Sequence, residues 1–270
     1  MSSIAIPRTE HSGRVTLAHV LRSEWTKLWS VRSTRWSLLV AFLATVGVGA
    51  IAAAVITNHW PHMQPHDRAD FHPLEANLAG VQLAQLAIGV LGVLAITAEY
   101  STGMIRASMT AVPKRLPVLW GKAIIYAATT LALMVPAVLL SFLVAESIFS
   151  RRHINIAFGH SGVARAVIGA ALYLTVVALF ALGLGAIVRN TAGGIAAFAA
   201  IMFVLPPLMN VLPSSWNHAA SPYLPLAAGE SIMSITSGNH LAPWAGFALF
   251  CGYAAGARAI GAVLLRRRDV

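Results

Sequence analysis

Residues 163–188 read VARAVIGAALYLTVVALFALGLGAIV, an apolar run in which Arg165 is the one charged residue. Five further stretches of the same kind lie around it: Trp36 to Ile56, Leu78 to Ala98, Leu119 to Val144, Thr191 to Leu212 and Ala242 to Leu265. Each reaches about 20 residues, and at a rise of about 1.5 Å per residue that covers a hydrocarbon core of about 30 Å. Lipid offers no water to unpaired amides, so segments this long and this rich in Leu, Ala, Val and Ile must close their own hydrogen bonds as helices. The fold class expected is an all-α membrane protein with six transmembrane helices. With 57% of residues hydrophobic and 10% charged, no stretch remains for a soluble catalytic domain of about 100 residues.

Charge placement orients the spans. The compartments before the first span, after the second, after the fourth and after the sixth hold Arg8, Arg14, Arg22, Lys27, Arg32 and Arg35, then Arg106, Lys114, Arg115 and Lys122, then Arg189, then Arg266, Arg267 and Arg268. The opposite side holds Arg68, Arg151, Arg152 and Arg165, and Arg258 lies inside the last span. Fourteen against four predicts both termini in the cytoplasm of a plasma-membrane protein. The net charge of +10 is accounted for by anionic lipid headgroups beside these spans, so lipid rather than nucleic acid is the expected partner. The chain divides into residues 1–35, a membrane domain over 36–265 and a basic tail over 266–270. The 35 mostly polar residues ahead of the first span argue against a cleavable signal peptide. The single Cys251 lies in the last span, which excludes an intrachain disulfide.

Ahead of the first span, Leu17, Val20, Leu21, Trp25, Leu28 and Trp29 recur at helical spacing with His19, Ser23, Thr26 and Ser30 opposite. The pattern predicts an amphipathic helix lying in the membrane interface with both tryptophans at headgroup depth. Glu24 falls inside the apolar arc, where a carboxylate needs a partner. Lys27 one turn on is the local choice, and a basic residue of the next cytoplasmic loop is the distant one.

That loop runs Glu99, Tyr100, Ser101, Thr102, Gly103, Met104, Ile105, Arg106, through Met109 and Val112 to Pro113, Lys114, Arg115, Leu116 and Pro117, then Gly121 and Lys122. Ser101 or Thr102 can cap a helix that Pro113 ends after about three turns. So short a helix needs an external surface. Its Met104, Ile105, Met109 and Val112, flanked by basic residues, fit either a groove on another protein or the lipid surface.

Taken in order, Ser23-Glu24-Trp25-Thr26-Lys27-Leu28, six spans, and a first cytoplasmic loop with Glu99, Gly103, Pro113, Gly121 and Lys122 resemble the permease subunit of type-2 ATP-binding-cassette (ABC) exporters, especially the actinobacterial variety rich in Ser, Arg and Trp around Arg22 to Arg35. The resemblance covers nearly the whole chain. It implies that the loop helix couples to a cytosolic ATPase through Glu24, Glu99, Gly103, Met104, Arg106, Pro113, Lys114, Arg115 and Lys122. It also implies a second permease copy, identical or related, and export of a drug, antibiotic or lipid-like small molecule. The chain has no phosphate-cradling G-x-x-x-x-G-K-[ST] loop, since Lys122 is followed by Ala123 and lacks the upstream glycine. No cofactor is expected on this chain and no enzyme activity of its own. ATP and Mg belong to the partner ATPase.

Gln82 and Gln85 share a face of the second span with Asn77 near its outer end, as interhelical glue or as part of a substrate path. Met202, Phe203, Met209 and Asn210 surround Pro206 and Pro207, a kink that serves either packing or an outward route. Gly252 and Gly256 form a G-x-x-x-G that permits close helix contact. Arg258 reaches the headgroups or pairs internally. His59, His62, His66 and His72 with Asp67 and Asp70 show no tight metal framework and fit an exposed loop with Pro61, Pro65 and Pro73. The resemblance implies short re-entrant helices between Pro213 and Pro243, a stretch with no Lys or Arg that bears Glu230.

Two other classes compete. An ion-coupled carrier places ionisable groups at mid-membrane, whereas Glu99, Glu146, Arg165 and Arg189 sit near span ends and only Arg258 is deeper. A membrane regulatory or immunity subunit shares every pattern above and moves nothing.

Overall fold

The computed structural model describes residues 16–69, 71–101, 115–154, 156–211, 213–235 and 239–267. They form helices and turns with no strand among them. Six helices are long and apolar enough to cross a membrane. They are Arg32–His59, Ala79–Ser101, Arg115–Phe149, Val163–Val188, the segment Thr191–Met209, and Pro243–Arg267, and they are called the first to sixth spans below. Large apolar side chains stand exposed along them, among them Leu43, Ile51, Leu143, Val204 and Ile260. In water such surfaces are rare on a monomer; facing lipid they are ordinary. This is a multi-pass membrane protein.

The first three of these helices outrun their apolar stretches by about a turn. The third span begins at Arg115 and continues past Val144 to Phe149, because backbone bonding does not stop where the side chains become polar. Pro117 is tolerated in its first turn, where the missing N–H has no partner to lose. Lys122, which both the loop motif and the Leu119 to Val144 stretch include, is a residue of the third span, and Arg115, expected in the loop, is its first residue. Ser101 closes the second span. The loop helix, with Gly103, Met104, Arg106, Pro113 and Lys114, lies outside the described residues.

The fourth span is the axis. It is the most enclosed, with 78% of its most apolar window buried, and it touches the second, third, fifth and sixth spans. Its small residues Ala166, Gly169, Ala170, Ala178, Ala181 and Gly183 make that possible. A Cβ on Gly183 would stand 2.8 Å from the Cβ of Ala257 in the sixth span. The first span lies outside, against the second and third. At Gly80 a Cβ would lie 2.7 Å from the Thr45 carbonyl carbon, so the second span crosses the first almost backbone to backbone.

Contacts at the span ends define two faces. Arg189, at the end of the fourth span, donates to the Leu264 carbonyl at 2.8 Å and stacks over the Tyr100 ring at 5.3 Å. The ends of the second, fourth and sixth spans thus share the face that also carries the N-terminal helix, called proximal here. Exposed Trp25, Trp29, Trp36 and Trp120 mark it, and Trp216, Tyr223 and Trp244 mark the distal face, the two-belt pattern of aromatic side chains at membrane interfaces.

The fifth span departs from a plain helix. Thr191–Ala199 is α-helical, Ala200–Val204 is a π turn, and Leu205–Met209 is α-helical again. Pro206 and Pro207 have no N–H to donate back into that turn, and the ladder widens there, with Leu205 N–H reaching the Ala200 carbonyl. Between the fifth and sixth spans, helices Ser214–Ala220 and Pro225–Glu230 alternate with 3-10 turns Ser221–Tyr223 and Ser231–Met233. Arg165 holds the second turn in place, donating to the carbonyls of Ile232 at 2.7 Å and Ser234 at 2.8 Å.

The G-x-x-x-G expectation for the sixth span is corrected within this chain. A Cβ on Gly252 or Gly256 would meet nothing within 4 Å. Both lie on the outward arc, while Phe250, Ala254 and Ala257 face the fourth span and are buried.

Candidate functional site: a closed ring of charges beneath the N-terminal helix

The N-terminal helix, Leu17–Ser30, presents a different face to the bundle from the one its tryptophans suggest. Val20 and Glu24 are buried and Lys27 and Leu28 half-buried, while Leu17, Trp25 and Trp29 are exposed. Val20, Glu24 and Lys27 recur at the helical four- and three-residue spacing, so they form one stripe. That stripe rests on the start of the third span, where Gly121 gives Val20 room: a Cβ there would be 2.7 Å from Val20 Cγ1.

Four charges meet under this stripe. Lys27 Nζ lies 2.8 Å from Glu24 Oε1 and 3.2 Å from Glu99 Oε1. Lys122 Nζ lies 2.6 Å from Glu24 Oε2 and 2.9 Å from Glu99 Oε1. The pairs close on themselves: carboxylate and ammonium alternate, and the net charge is zero. Side-chain exposures of 3% for Glu24, 9% for Glu99 and 10% for Lys122 remove water from three of the four corners. Burial opposes the Lys27 ammonium, but Glu24 and Glu99 outweigh it and raise its pKa. Glu99 Oε2 is buried and has no hydrogen-bond partner among the described residues. Glu24 thus meets both of its candidate partners, the local Lys27 and the distant Lys122.

Of the residues expected to couple to an ATPase, the structure brings together Glu24, Glu99 and Lys122 and adds Lys27. Glu99 stands three residues before the undescribed segment 102–114, and Lys122 lies in the third span just beyond it. Arg258 stays on this face, half-buried, with its guanidinium 5.5 Å over the Trp120 ring and Nε bonded to the Ala254 carbonyl at 3.3 Å.

The residues proposed for a substrate path fall into separate places. Gln85 is fully buried, accepts from the Tyr173 hydroxyl, and donates to Gln82 Oε1 at 2.6 Å. Gln82 is exposed and donates to Glu230 Oε1 at 2.5 Å. Every donor in this chain points toward the Glu230 carboxylate, and the helix Pro225–Glu230 leans on the fourth and sixth spans and on the π turn. Asn77 does not share this face. Five residues advance about 140° around a helix, and Asn77 Nδ2 turns instead to Glu146 Oε1 at 3.2 Å. Met202 is buried, Phe203 packs edge-on to Phe198 at 6.1 Å, and Asn210 accepts from Asn217 Nδ2 at 3.1 Å on the surface.

Tyr173 and Glu230 were not expected in this cluster. A tyrosine in an apolar run does not name its partner, but Glu230 is the only Asp or Glu between Asn190 and Arg258, a signal that was there to weigh. Burial raises its pKa against the opposing Gln82 hydrogen bond. A carboxyl that binds its proton more tightly when folded adds stability below its unfolded pKa and loses it as pH rises through the raised value. The contribution of Glu230 to the melting midpoint of detergent-solubilised protein is therefore expected to fall from pH 4 toward neutrality, read as a pH-dependent change in the difference between the unmodified chain and Glu230→Gln.

Among the described residues no three of His, Cys, Asp or Glu converge as a metal site. In the first distal loop, His66 pairs with Asp67 at 3.0 Å and Arg68 lies over Trp60 at 5.7 Å. Comparison with known proteins matches no family model and no curated relative.

Proposed function

We propose that this chain is the membrane subunit of a type-2 ABC exporter, with the proximal face in the cytoplasm, a separate ATPase bound there, and a second permease copy beside it. The observation that carries the reading is the charge ring. It ties the N-terminal helix to Glu99 and Lys122, the two flanks of the segment 102–114, so a push on that segment reaches the N-terminal helix and the second and third spans together. ATP binding closes the partner ATPases, the segment 102–114 moves in its groove, and the two spans tilt. Arg106, Lys114 and Arg115 supply electrostatic contacts to the ATPase, an exposed ion pair being worth up to about 1 kcal/mol. The exposed Gln82 and half-buried Glu230 set a polar patch on the membrane-facing surface of the distal half, which supports a substrate path for a drug, antibiotic or lipid-like molecule between two copies.

Purification from native membranes is expected to bring down a nucleotide-hydrolysing subunit. In the reconstituted pair, Gly103→Leu should uncouple substrate from ATPase stimulation while leaving insertion intact. Unchanged stimulation in that variant, or no ATPase in the purified material, removes the reading.

A further inference from the structure

Glu230 is held firmly in place and left without a counter-charge. Gly229 seats its helix: a Cβ there would come within 2.5 Å of the Tyr173 ring and 2.8 Å of the Phe250 ring. On the other side, Ser231 Oγ donates to the carbonyls of Ala228 at 2.7 Å and Pro243 at 3.2 Å. Arg165 reaches the same turn, yet it spends its guanidinium on the carbonyls of Ile232 and Ser234. None of the ion pairs among the described residues includes Glu230. Burial opposes its charge, and Gln82 is the one donor that answers it.

The surroundings say what kind of molecule would complete this site. Gln82 is exposed and stands in the first turn of the second span, so the amide that bonds Glu230 reaches the membrane-facing surface at the distal interface. Leu86 lies one turn deeper on the same face and is also exposed. A half-buried carboxylate thus sits at the edge of an apolar surface. Ionisable groups in such places are costly and mark ligand paths, and a cationic donor bonds a carboxylate about twice as strongly as a neutral one.

We propose that Glu230 and Gln82 dock an amphipathic amine, its ammonium on the Glu230 carboxylate and its apolar body along Leu86. This rests on the transport reading in taking the patch for part of a substrate path, and it narrows the substrate to a lipophilic cation. A neutral or anionic molecule of the same shape leaves the carboxylate without its counter-charge.

The test measures binding alone, with no ATP and no ATPase. The full chain in phosphatidylcholine nanodiscs is titrated with an aliphatic amine that carries a fluorescent ring system, and with its N-acetyl derivative, which keeps the body and loses the charge. Empty discs give the background. The amine is expected to bind saturably, with a Kd about tenfold below that of the derivative, the worth of one charge-assisted hydrogen bond. Glu230→Gln should raise the Kd of the amine to that of the derivative and leave the derivative where it was, which also shows that the variant is folded. Equal affinity for the two ligands in the unmodified chain, a preference for the amine that survives Glu230→Gln, or binding that does not saturate overturns the proposal. Capture of an ATPase from native membranes tests the transport reading separately.

Discussion

Lys122→Met will destabilise the folded protein by about 3–5 kcal/mol, the cost of removing one partner from a buried ion pair. The loss leaves Glu24 and Glu99 facing each other with only Lys27, whose side chain is 27% exposed, between them. In detergent the melting midpoint should drop by about 10 °C. Restoring neutrality tests the cause. Adding Glu24→Gln to Lys122→Met leaves one balanced pair, Lys27 with Glu99, and should recover a large part of the loss, giving strong non-additivity in a double-mutant cycle. Additive losses would show that the four charges do not act as a unit.

The second large effect belongs to Gly80→Val. Its Cβ alone meets the Thr45 backbone, with the Thr45 Cα also at 2.7 Å. A helix backbone has no rotamer with which to yield, so the first and second spans must part. Overpacking of this kind costs about 1–3 kcal/mol or more. The same displacement strips Ser141 Oγ of its bonds to the carbonyls of Thr45 at 3.0 Å and Asn77 at 3.2 Å. Reduced folded yield and protease cleavage in the first distal loop are the expected readouts. Gly252→Val is the control: its new side chain points into open space, and the melting midpoint of the single chain should stay within the error of measurement.

The six spans were legible because length and hydropathy suffice for them, and lipid leaves the backbone no other choice. Helix ends were less so, since polar side chains at Arg115 or Phe149's neighbours do not interrupt backbone bonding. The ring was half legible. A carboxylate at Glu24 inside an apolar arc demanded a cation, and Lys122 was on hand in the right loop. What periodicity could not give was which arc faces the protein: Trp25 and Trp29 carry the hydrophobic pattern outward, and the inward stripe contains the charges. The distal cluster failed for a related reason. Gln82 and Gln85 were visible as amides on one face, but their partners Tyr173 and Glu230 are 88 and 148 residues distant, and nothing local announces such a pairing.

Glu24 precedes Lys122 by 98 residues. A ribosome therefore releases the acidic corner long before its basic counterpart exists, and Glu99 comes only 23 residues ahead of Lys122. The leading helix has to wait, its carboxylate hydrated or shared with Lys27, until the third apolar segment has entered the bilayer. Seating of that helix is thus a late step of assembly, and it reports that the first half of the polypeptide has been threaded in the right sense.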